Sequence, residues 1–275
     1  MASKVEFEKK LISTVDEIIK SKMDINKFDN DGHTFLSLAC QFRLNDLVEK
    51  LLENGADPDK IDSTDTTPLC ISCYVDNPEA VKILVKHHAD VNLKCRKGYI
   101  PLVVACKHSM HSALFLIENG ADVNKMFTNM SPIMVACMHS EPLLVERILE
   151  KGAKLDARSD EGWTPLMFAC RYQNSETVKK FIPGSDINAM ATNGLSALIL
   201  TCRTGSPEFV QYLIDCGAKI VDMHAMIYLA CSYNKEVYRY LVNKFLGGEE
   251  AYLGLCGNMV AVRIGNEVKM IDPLG

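Results

Sequence analysis

The chain has 275 residues, 48% of them hydrophobic and 24% charged, with a formal net charge of −5. This composition is globular and excludes a disordered or low-complexity chain. No apolar run approaches the ~20 residues that span a bilayer, and the polar first ten residues lack the core of a signal peptide. With eleven cysteines, we therefore expect a reducing compartment, the cytoplasm with nuclear access left open, and no membrane insertion.

The first predicted element is an N-terminal capping helix within residues 1–25. Apolar residues such as Val5, Leu11 and Val15 alternate with Glu and Lys at helical spacing from residue 5 onward. The segment ends in Met23-Asp24-Ile25-Asn26, a degenerate copy of a motif that recurs later in the chain. We interpret it as half a repeat that covers the end of a stack.

A repeat occupies residues 26–246. The dipeptide Ala39-Cys40 returns six times, with alanine replaced by serine or threonine in two copies, at intervals of 29 to 33 residues. The resulting ladder of cysteines is Cys40, Cys73, Cys106, Cys137, Cys170, Cys202 and Cys231. A fixed period of this size is typical of repeat proteins. Each unit buries its apolar face against its neighbours, so the units form one stack with a long exposed surface.

Each unit carries the signals of two helices. Thr or Ser followed by Pro, as in Thr67-Pro68 and Thr164-Pro165, is an N-cap with proline at the first helical position. A second apolar segment then ends in a motif such as Asn54-Gly55-Ala56-Asp57, with glycine as the C-cap. The seventh unit lacks the turn signal at Asp222-Met223-His224, so we expect it to be a terminal cap.

This pattern resembles the ankyrin repeat, a β-turn followed by two antiparallel helices. The resemblance covers roughly residues 24–246 and is most specific at Thr67-Pro68-Leu69, Gly162-Trp163-Thr164-Pro165-Leu166 and Asn119-Gly120-Ala121-Asp122-Val123-Asn124. It implies an all-α repeat solenoid of about seven β-turn/helix-pair units. The histidine that the family often has two residues after the proline is absent, so we do not expect the usual hydroxyl–imidazole bonding between units.

Residues 247–275 leave the repeat period. Two segments, 259–264 and 267–271, partly alternate apolar and polar residues and flank Gly265-Asn266, which suits a two-residue hairpin turn. We predict a β-hairpin docked near Tyr238 and Leu241, because an isolated hairpin is marginal in water. A disordered tail after Gly247-Gly248 is the alternative.

The cysteines and histidines predict packing rather than chemistry. Equivalent sites in stacked helices lie ~8–10 Å apart, too far for disulfides, so we expect the ladder thiols to be buried and reduced, with Cys95 and Cys216 exposed. His108 and His139 should be neighbours, but a metal site needs three or four ligands. Catalytic, phosphate-binding and cofactor motifs are absent from the sequence, and we predict no enzyme, no cofactor and no metal.

The resemblance implies that partners are held by the turn tips and by the residues just after each ladder cysteine. Aromatic, cationic and methionine side chains occupy these positions, and Tyr, Trp and Arg dominate interface energetics. The predicted protein-binding residues are Phe42, Tyr74, Arg96, Lys97, Tyr99, Lys107, His108, Met130, Met138, His139, Trp163, Arg171, Tyr172 and Arg203.

The sequence therefore predicts a non-catalytic protein–protein interaction module or scaffold with no small-molecule substrate. A basic, aromatic surface on an acidic body favours an acidic or phosphorylated protein segment as partner. Single-stranded nucleic acid is the rival ligand, but the pI near 5.8 argues against it. A regulatory subunit or inhibitor of an enzyme is the alternative function.

Overall fold

The computed structural model describes residues 2–139, 141–172, 175–245, 252–256, 259–264 and 267–271. The chain divides into two compact units, residues 1–153 and 154–275, and each is described by itself. Within the described residues the helices form seven pairs, four in the first unit and three in the second. None of these helices is both long enough and apolar enough to cross a bilayer.

The first unit begins with one long helix, and four helix pairs follow. The elements are α1 (Ala2–Lys20), α2 (Phe35–Gln41), α3 (Asn45–Glu53), α4 (Pro68–Tyr74), α5 (Pro78–Lys86), α6 (Pro101–His108), α7 (Met110–Glu118), α8 (Pro132–Met138) and α9 (Pro142–Glu150). Helix α1 buries Leu11 and Val15, and its Asp16 accepts a hydrogen bond from Lys50 of α3 at 2.6 Å. It therefore lies against the first helix pair.

The second unit contains three helix pairs and a small sheet. Its elements are α10 (Pro165–Tyr172), α11 (Ser175–Lys179), α12 (Ala197–Thr204), α13 (Pro207–Asp215), α14 (Met223–Tyr233), α15 (Lys235–Phe245), β1 (Tyr252–Cys256), β2 (Met259–Ile264) and β3 (Glu267–Ile271). The strands are antiparallel in the order β1-β2-β3. Strands β2 and β3 pair from Ile264↔Glu267 to Val260↔Ile271, which is the hairpin predicted from the sequence. Strand β1 was not predicted, because Gly254 interrupts its apolar pattern.

The hairpin was predicted to dock near Tyr238 and Leu241, but the side chains of the hairpin itself lie outside what the structure describes. The turn residues 265–266 also lie outside the described residues. The docking stays a prediction.

Hydroxyl caps start several of the first helices of each pair. The Thr34 side chain accepts from the Ser37 backbone N–H at 3.0 Å, and the Ser37 hydroxyl accepts from the Thr34 N–H at 3.1 Å, a reciprocal capping box. The Thr67 hydroxyl caps α4 through the Cys70 N–H at 3.2 Å. Ile100 has no capping group, and α6 starts instead with proline at its first position. These bonds stay within one repeat, so they fix where each helix begins.

The turn tips project from the helices as short bridged loops. One bridge joins Phe28 and Thr34, whereas the bridge of the fourth tip joins Phe127 and Met130 across only two residues. Both of these residues, Thr128 and Asn129, have positive φ, 42° and 54°, as in a type I′ turn. A β-branched residue such as Thr128 is strained in this region of φ. Two residues separate the bridged positions of this tip, whereas three residues separate Cys95 and Tyr99 in the third tip, where the Cys95 N–H bonds to the Tyr99 carbonyl. The tip at residues 127–130 is thus one residue shorter.

Asparagine side chains tie neighbouring repeats together at the opposite end of the helix pairs. Asn26 donates to the Gly55 carbonyl at 3.2 Å, and Asn92 donates to the Gly120 carbonyl at 2.9 Å. The equivalent of Asn26 in the second repeat is Asp59, which accepts from the Asp90 N–H at 3.0 Å but has no N–H to donate. The glycine that would accept from it is replaced by His88, which has a φ of 65°. This junction lacks one hydrogen bond and holds a side chain in a left-handed conformation.

The ladder cysteines form no disulfide within the described residues, and six of the seven are buried. Burial raises the pKa of Cys40 and Cys170 to about 12. Cys231 is only half-buried, contrary to the prediction, because α14 belongs to the last helix pair. Cys95 was predicted to be exposed and is 2% exposed, because the third tip folds its first residue inward, beside Cys70. Cys216 is exposed as predicted.

This distribution predicts the order of thiol modification in the native protein. The thiolate is the reactive form, and buried thiols are inert. Among the cysteines whose burial the structure describes, iodoacetamide should therefore label Cys216 first and Cys231 second, while Cys70, Cys95 and the six buried ladder cysteines stay unmodified until the chain unfolds. Peptide mass spectrometry after timed labelling measures this order. Early modification of Cys95 would contradict its buried position, and labelling in urea provides the fully reactive control.

Candidate functional site

A groove of about 630 Å³ runs across the first unit between the turn tips and the first helices of the pairs. Its apolar floor comes from α4, α6 and α8, with Ile71, Val103, Val104 and Val135. Ile71 and Val104 are half-buried and stand two residues before a ladder cysteine. The repeat places equivalent apolar residues side by side, so the floor is continuous across three repeats.

Two aromatic pairs flank this floor. At the helix ends, the ring of Tyr74 lies 4.7 Å from the His108 ring at an interplanar angle of 57°. At the tips, Tyr99 stacks on Phe127 at 4.6 Å and 29°, and the tight two-residue turn holds Phe127 in place. Tyr74 is 64% exposed, so a large part of this aromatic surface is open to a ligand. A pair of aromatic rings in contact stabilises by about 0.5–1.5 kcal/mol beyond the contribution from the area that the rings bury.

The ionic groups of the groove are mainly cationic. Lys97 and Lys107 are exposed, line the groove and form no ion pair within the described residues. On the second helices, by contrast, Lys82 pairs with Glu79 and Lys86 pairs with Glu49. The groove therefore presents two cations that can meet an anionic ligand.

The one carboxylate in the lining, Asp62, is buried and already bonded. It accepts from Thr64 and lies 3.1 Å from His33 Nδ1. Burial raises the pKa of this carboxyl, but the hydrogen bonds from Thr64 and His33 outweigh it and hold the pKa below its usual value. Asp62 therefore organises the tip and does not cancel the charge of Lys97 and Lys107.

The lining of the groove also contains a histidine, His108. It is half-buried at the end of α6, and burial, Lys107 and His139 together lower the pKa of its imidazole. The interaction with His139 confirms that the two histidines are neighbours, as the repeat spacing predicted. In the part of the chain that the structure describes, no three His, Cys, Asp or Glu side chains converge as metal ligands.

The groove brings six of the predicted binding residues together: Tyr74, Lys97, Tyr99, Lys107, His108 and Met130. Three more lie in this unit outside the lining. Arg96 lies 3.8 Å from Asp65, and Met138 and His139 are exposed at the end of α8. Phe42 was assigned to the binding face, but its ring lies 4.8 Å from Phe7 of α1 and is half-buried, so it packs against the N-terminal helix.

The remaining predicted residues form a surface of the second unit. Arg203 lies over the Tyr233 ring at 4.0 Å, and Arg171 over the Tyr172 ring at 5.0 Å. The Trp163 ring lies 5.2 Å from Phe168, and its Nε1 is buried without a hydrogen-bond partner among the described residues. The cations of this surface are therefore held on aromatic faces.

Ile71, Val104 and Phe127 line the groove but were not among the predicted binding residues. Ile71 and Val104 are apolar positions inside α4 and α6, and they do not follow a ladder cysteine directly. The helical period could have identified them, because Ile71 and Tyr74, like Val104 and Lys107, are three residues apart and share a helix face. Phe127 lies on the fourth tip, and its stacking on Tyr99 depends on the shortened turn.

Comparison with known proteins gives consistent matches. A family model described as ankyrin repeats matches residues 43–127, 125–191 and 172–251. Mouse ankyrin repeat and SAM domain-containing protein 6 is 32% identical over 101 residues, which are 34% of this chain and 11% of that protein. The human transient receptor potential cation channel subfamily A member 1 is 30% identical over 91 residues, covering 32% of this chain and 8% of the channel. The chain thus matches about a tenth of the length of these two relatives.

Two solved structures share the fold. The ankyrin repeat domain of Bcl-3 superposes with a TM-score of 0.58 at 20% identity and covers 74% of this chain and 91% of that domain. The human ASB11 ankyrin repeat domain gives a TM-score of 0.62 at 24% identity and covers 77% of this chain and 95% of that domain. At these identities the likeness concerns the fold alone.

Proposed function

The chain belongs to the ankyrin repeat family, whose repeats bind protein partners, and from this premise we propose that the groove of the first unit is its partner-binding site. The protein then acts as a non-catalytic interaction module or scaffold, in keeping with a family that is typically non-catalytic. The free thiols of the described residues fit a reducing, cytoplasmic setting. The arginine–aromatic surface of the second unit is proposed as a further contact area.

One observation carries this proposal: the groove combines an apolar floor, two partly exposed aromatic pairs and two lysines that form no ion pair with any residue the structure describes. An apolar floor with aromatic anchors supplies affinity. Cations at its edge favour a partner of opposite charge and raise the association rate. An acidic or phosphorylated protein segment meets both requirements.

Charge reversal and truncation test the proposal on a partner captured with the full chain as bait. Lys107→Glu should weaken binding about tenfold and reduce its salt dependence, and Tyr99→Ala should also cost about tenfold, by removing an anchor. The matched control is Lys82→Glu, an exposed reversal on α5 that should leave affinity unchanged. Calorimetric titration at two salt concentrations gives both quantities.

The opposite result would refute the groove assignment. If Lys107→Glu and Tyr99→Ala bind the captured partner as tightly as the unmodified chain, the partner binds elsewhere. Circular dichroism of each variant first shows that the helices are intact. Capture of an enzyme whose activity falls on binding would support the regulatory alternative.

A further inference from the structure

His108 links the aromatic and the cationic parts of the groove. Its ring contacts Tyr74 of α4, and Lys107 precedes it in the chain. The charged or titratable groups that face it are Lys107 on its own helix, His139 after α8 and the phenol of Tyr74. Among the described residues, no carboxylate belongs to these groups, and none of them favours the charged imidazolium.

We propose that the groove binds an extended protein segment that carries a carboxylate beside an apolar residue, and that His108 takes up a proton when this carboxylate binds. The inference rests on the proposed function and specifies its ligand. The carboxylate lies against His108 and Lys107, and the apolar residue covers Ile71 and Val104.

The spacing of the groove fits an extended segment. Neighbouring helices are ~8–10 Å apart, and an extended chain advances about 3.3 Å per residue. About three residues therefore cross from one repeat to the next. Side chains two positions apart in an extended segment point to the same side. An acidic residue of the ligand can therefore contact His108 while the apolar residue two positions away contacts the floor of the groove.

The types of cationic side chain in the groove favour a carboxylate over a phosphate as the ligand. The lining supplies lysines and a histidine, whereas arginine is the residue suited to bidentate phosphate contacts. Arg171 and Arg203 belong to the second unit, and none of the described residues that line the groove is an arginine. Arg96 pairs with Asp65, and Arg43 donates to the Asp76 carbonyl.

The pH dependence follows from linkage. Burial first, and then Lys107 and His139, lower the pKa of free His108, so the ring is mostly neutral at pH 7. A bound carboxylate favours the charged form and raises that pKa. Proton uptake on binding makes affinity increase as pH falls between the pKa of the complex and that of the free protein. The carboxylate itself, with a pKa near ~4, stays ionised throughout this range.

The test selects a phage-displayed library of random octapeptides on the full chain at pH 6.5. A synthetic copy of the best peptide, blocked at both ends, is then titrated at pH 6 and pH 8. We expect peptides that pair Asp or Glu with an apolar residue, and binding about fivefold tighter at pH 6. His108→Phe keeps a ring against Tyr74 and should abolish the pH difference. His111→Phe, an exposed histidine on α7, should leave it unchanged.

The possible results distinguish a failure of this inference from a failure of the proposed function. Neutral or basic peptides, or an acidic peptide bound equally at both pH values, overturn the inference while the groove remains a binding site. Selected peptides that bind Lys107→Glu and Tyr99→Ala as tightly as the unmodified chain overturn both the inference and the proposed function. Replacing the peptide acid with phosphoserine separates the two anions, because its second pKa is near ~6. A phosphoserine peptide that binds more tightly at pH 6 than the carboxylate peptide contradicts the carboxylate assignment.

Discussion

Replacing Leu144 with alanine should lower the free energy of unfolding by about 2–5 kcal/mol. The same change at Leu143 should leave it within about 0.5 kcal/mol. The two leucines are neighbours on α9, but Leu144 is 0% exposed and Leu143 is 57% exposed. Alanine at the buried position removes apolar contacts and leaves a cavity inside the first unit. At the exposed position it removes little and slightly favours the helix.

Urea unfolding followed by circular dichroism measures both effects, and the slopes are compared to check that the variants unfold in the same way. The Leu143→Ala variant is the control for helix propensity, because both substitutions introduce alanine into the same turn of α9. Equal losses of stability in the two variants would contradict the burial of Leu144 and the packing of α9 in the first unit.

The repeat period made most of the helical fold predictable from the sequence. Each unit packs on its neighbours in the same way, so equivalent positions in the units have similar surroundings and favour the same residue type. The burial of Cys40, Cys73 and Cys106 follows from this equivalence. The period describes only equivalent positions. It therefore could not place Cys95, which lies in a tip that folds inward, or Cys231, which lies in the last helix pair.

The candidate site was predictable only in part, for a related physical reason. The residues after each ladder cysteine were identified through the resemblance to the ankyrin repeat, and Tyr74, Lys107 and His108 do line the groove. Phe42 is equivalent to His108 in register, but α1 lies over the first repeat and Phe7 covers its ring. A neighbour from outside the period changed the environment of an equivalent position.

The stacking of Phe127 on Tyr99 depends on backbone conformation, which residue type does not reveal. Thr128 and Asn129 both have positive φ, but neither is a glycine, the residue type that would have indicated this conformation in the sequence. The shortened spacing between Cys106 and Cys137 was visible in the sequence, but the position of the missing residues was not.

The double change Asp59→Asn with His88→Gly should raise the free energy of unfolding by about 1.5 kcal/mol at pH 7. Asparagine supplies the N–H that Asn26 and Asn92 donate at the equivalent junctions, and the carbonyl of residue 88 gains this bond. Glycine removes the strain of a side chain at a φ of 65°. Each single variant should give part of the gain, and Asn92→Asp should impose the corresponding loss at the next junction.

The part of this gain that comes from Asp59 should depend on pH. Burial first, and then the nearby carboxylates of Asp90 and Asp57, raise the pKa of Asp59 in the folded chain. Ionised Asp59 therefore lowers the free energy of unfolding. This loss of stability is complete at pH values above the pKa of Asp59 in the folded chain, and it disappears as the pH falls toward the ordinary pKa of the group, near 3.8. The other titrating groups are common to both proteins and largely cancel in the difference. Urea unfolding of the chain and of Asp59→Asn should give a stability difference that is largest near pH 7 and shrinks toward pH 4. A difference that grows on acidification would show that the carboxyl at residue 59 is stabilised in its ionised form.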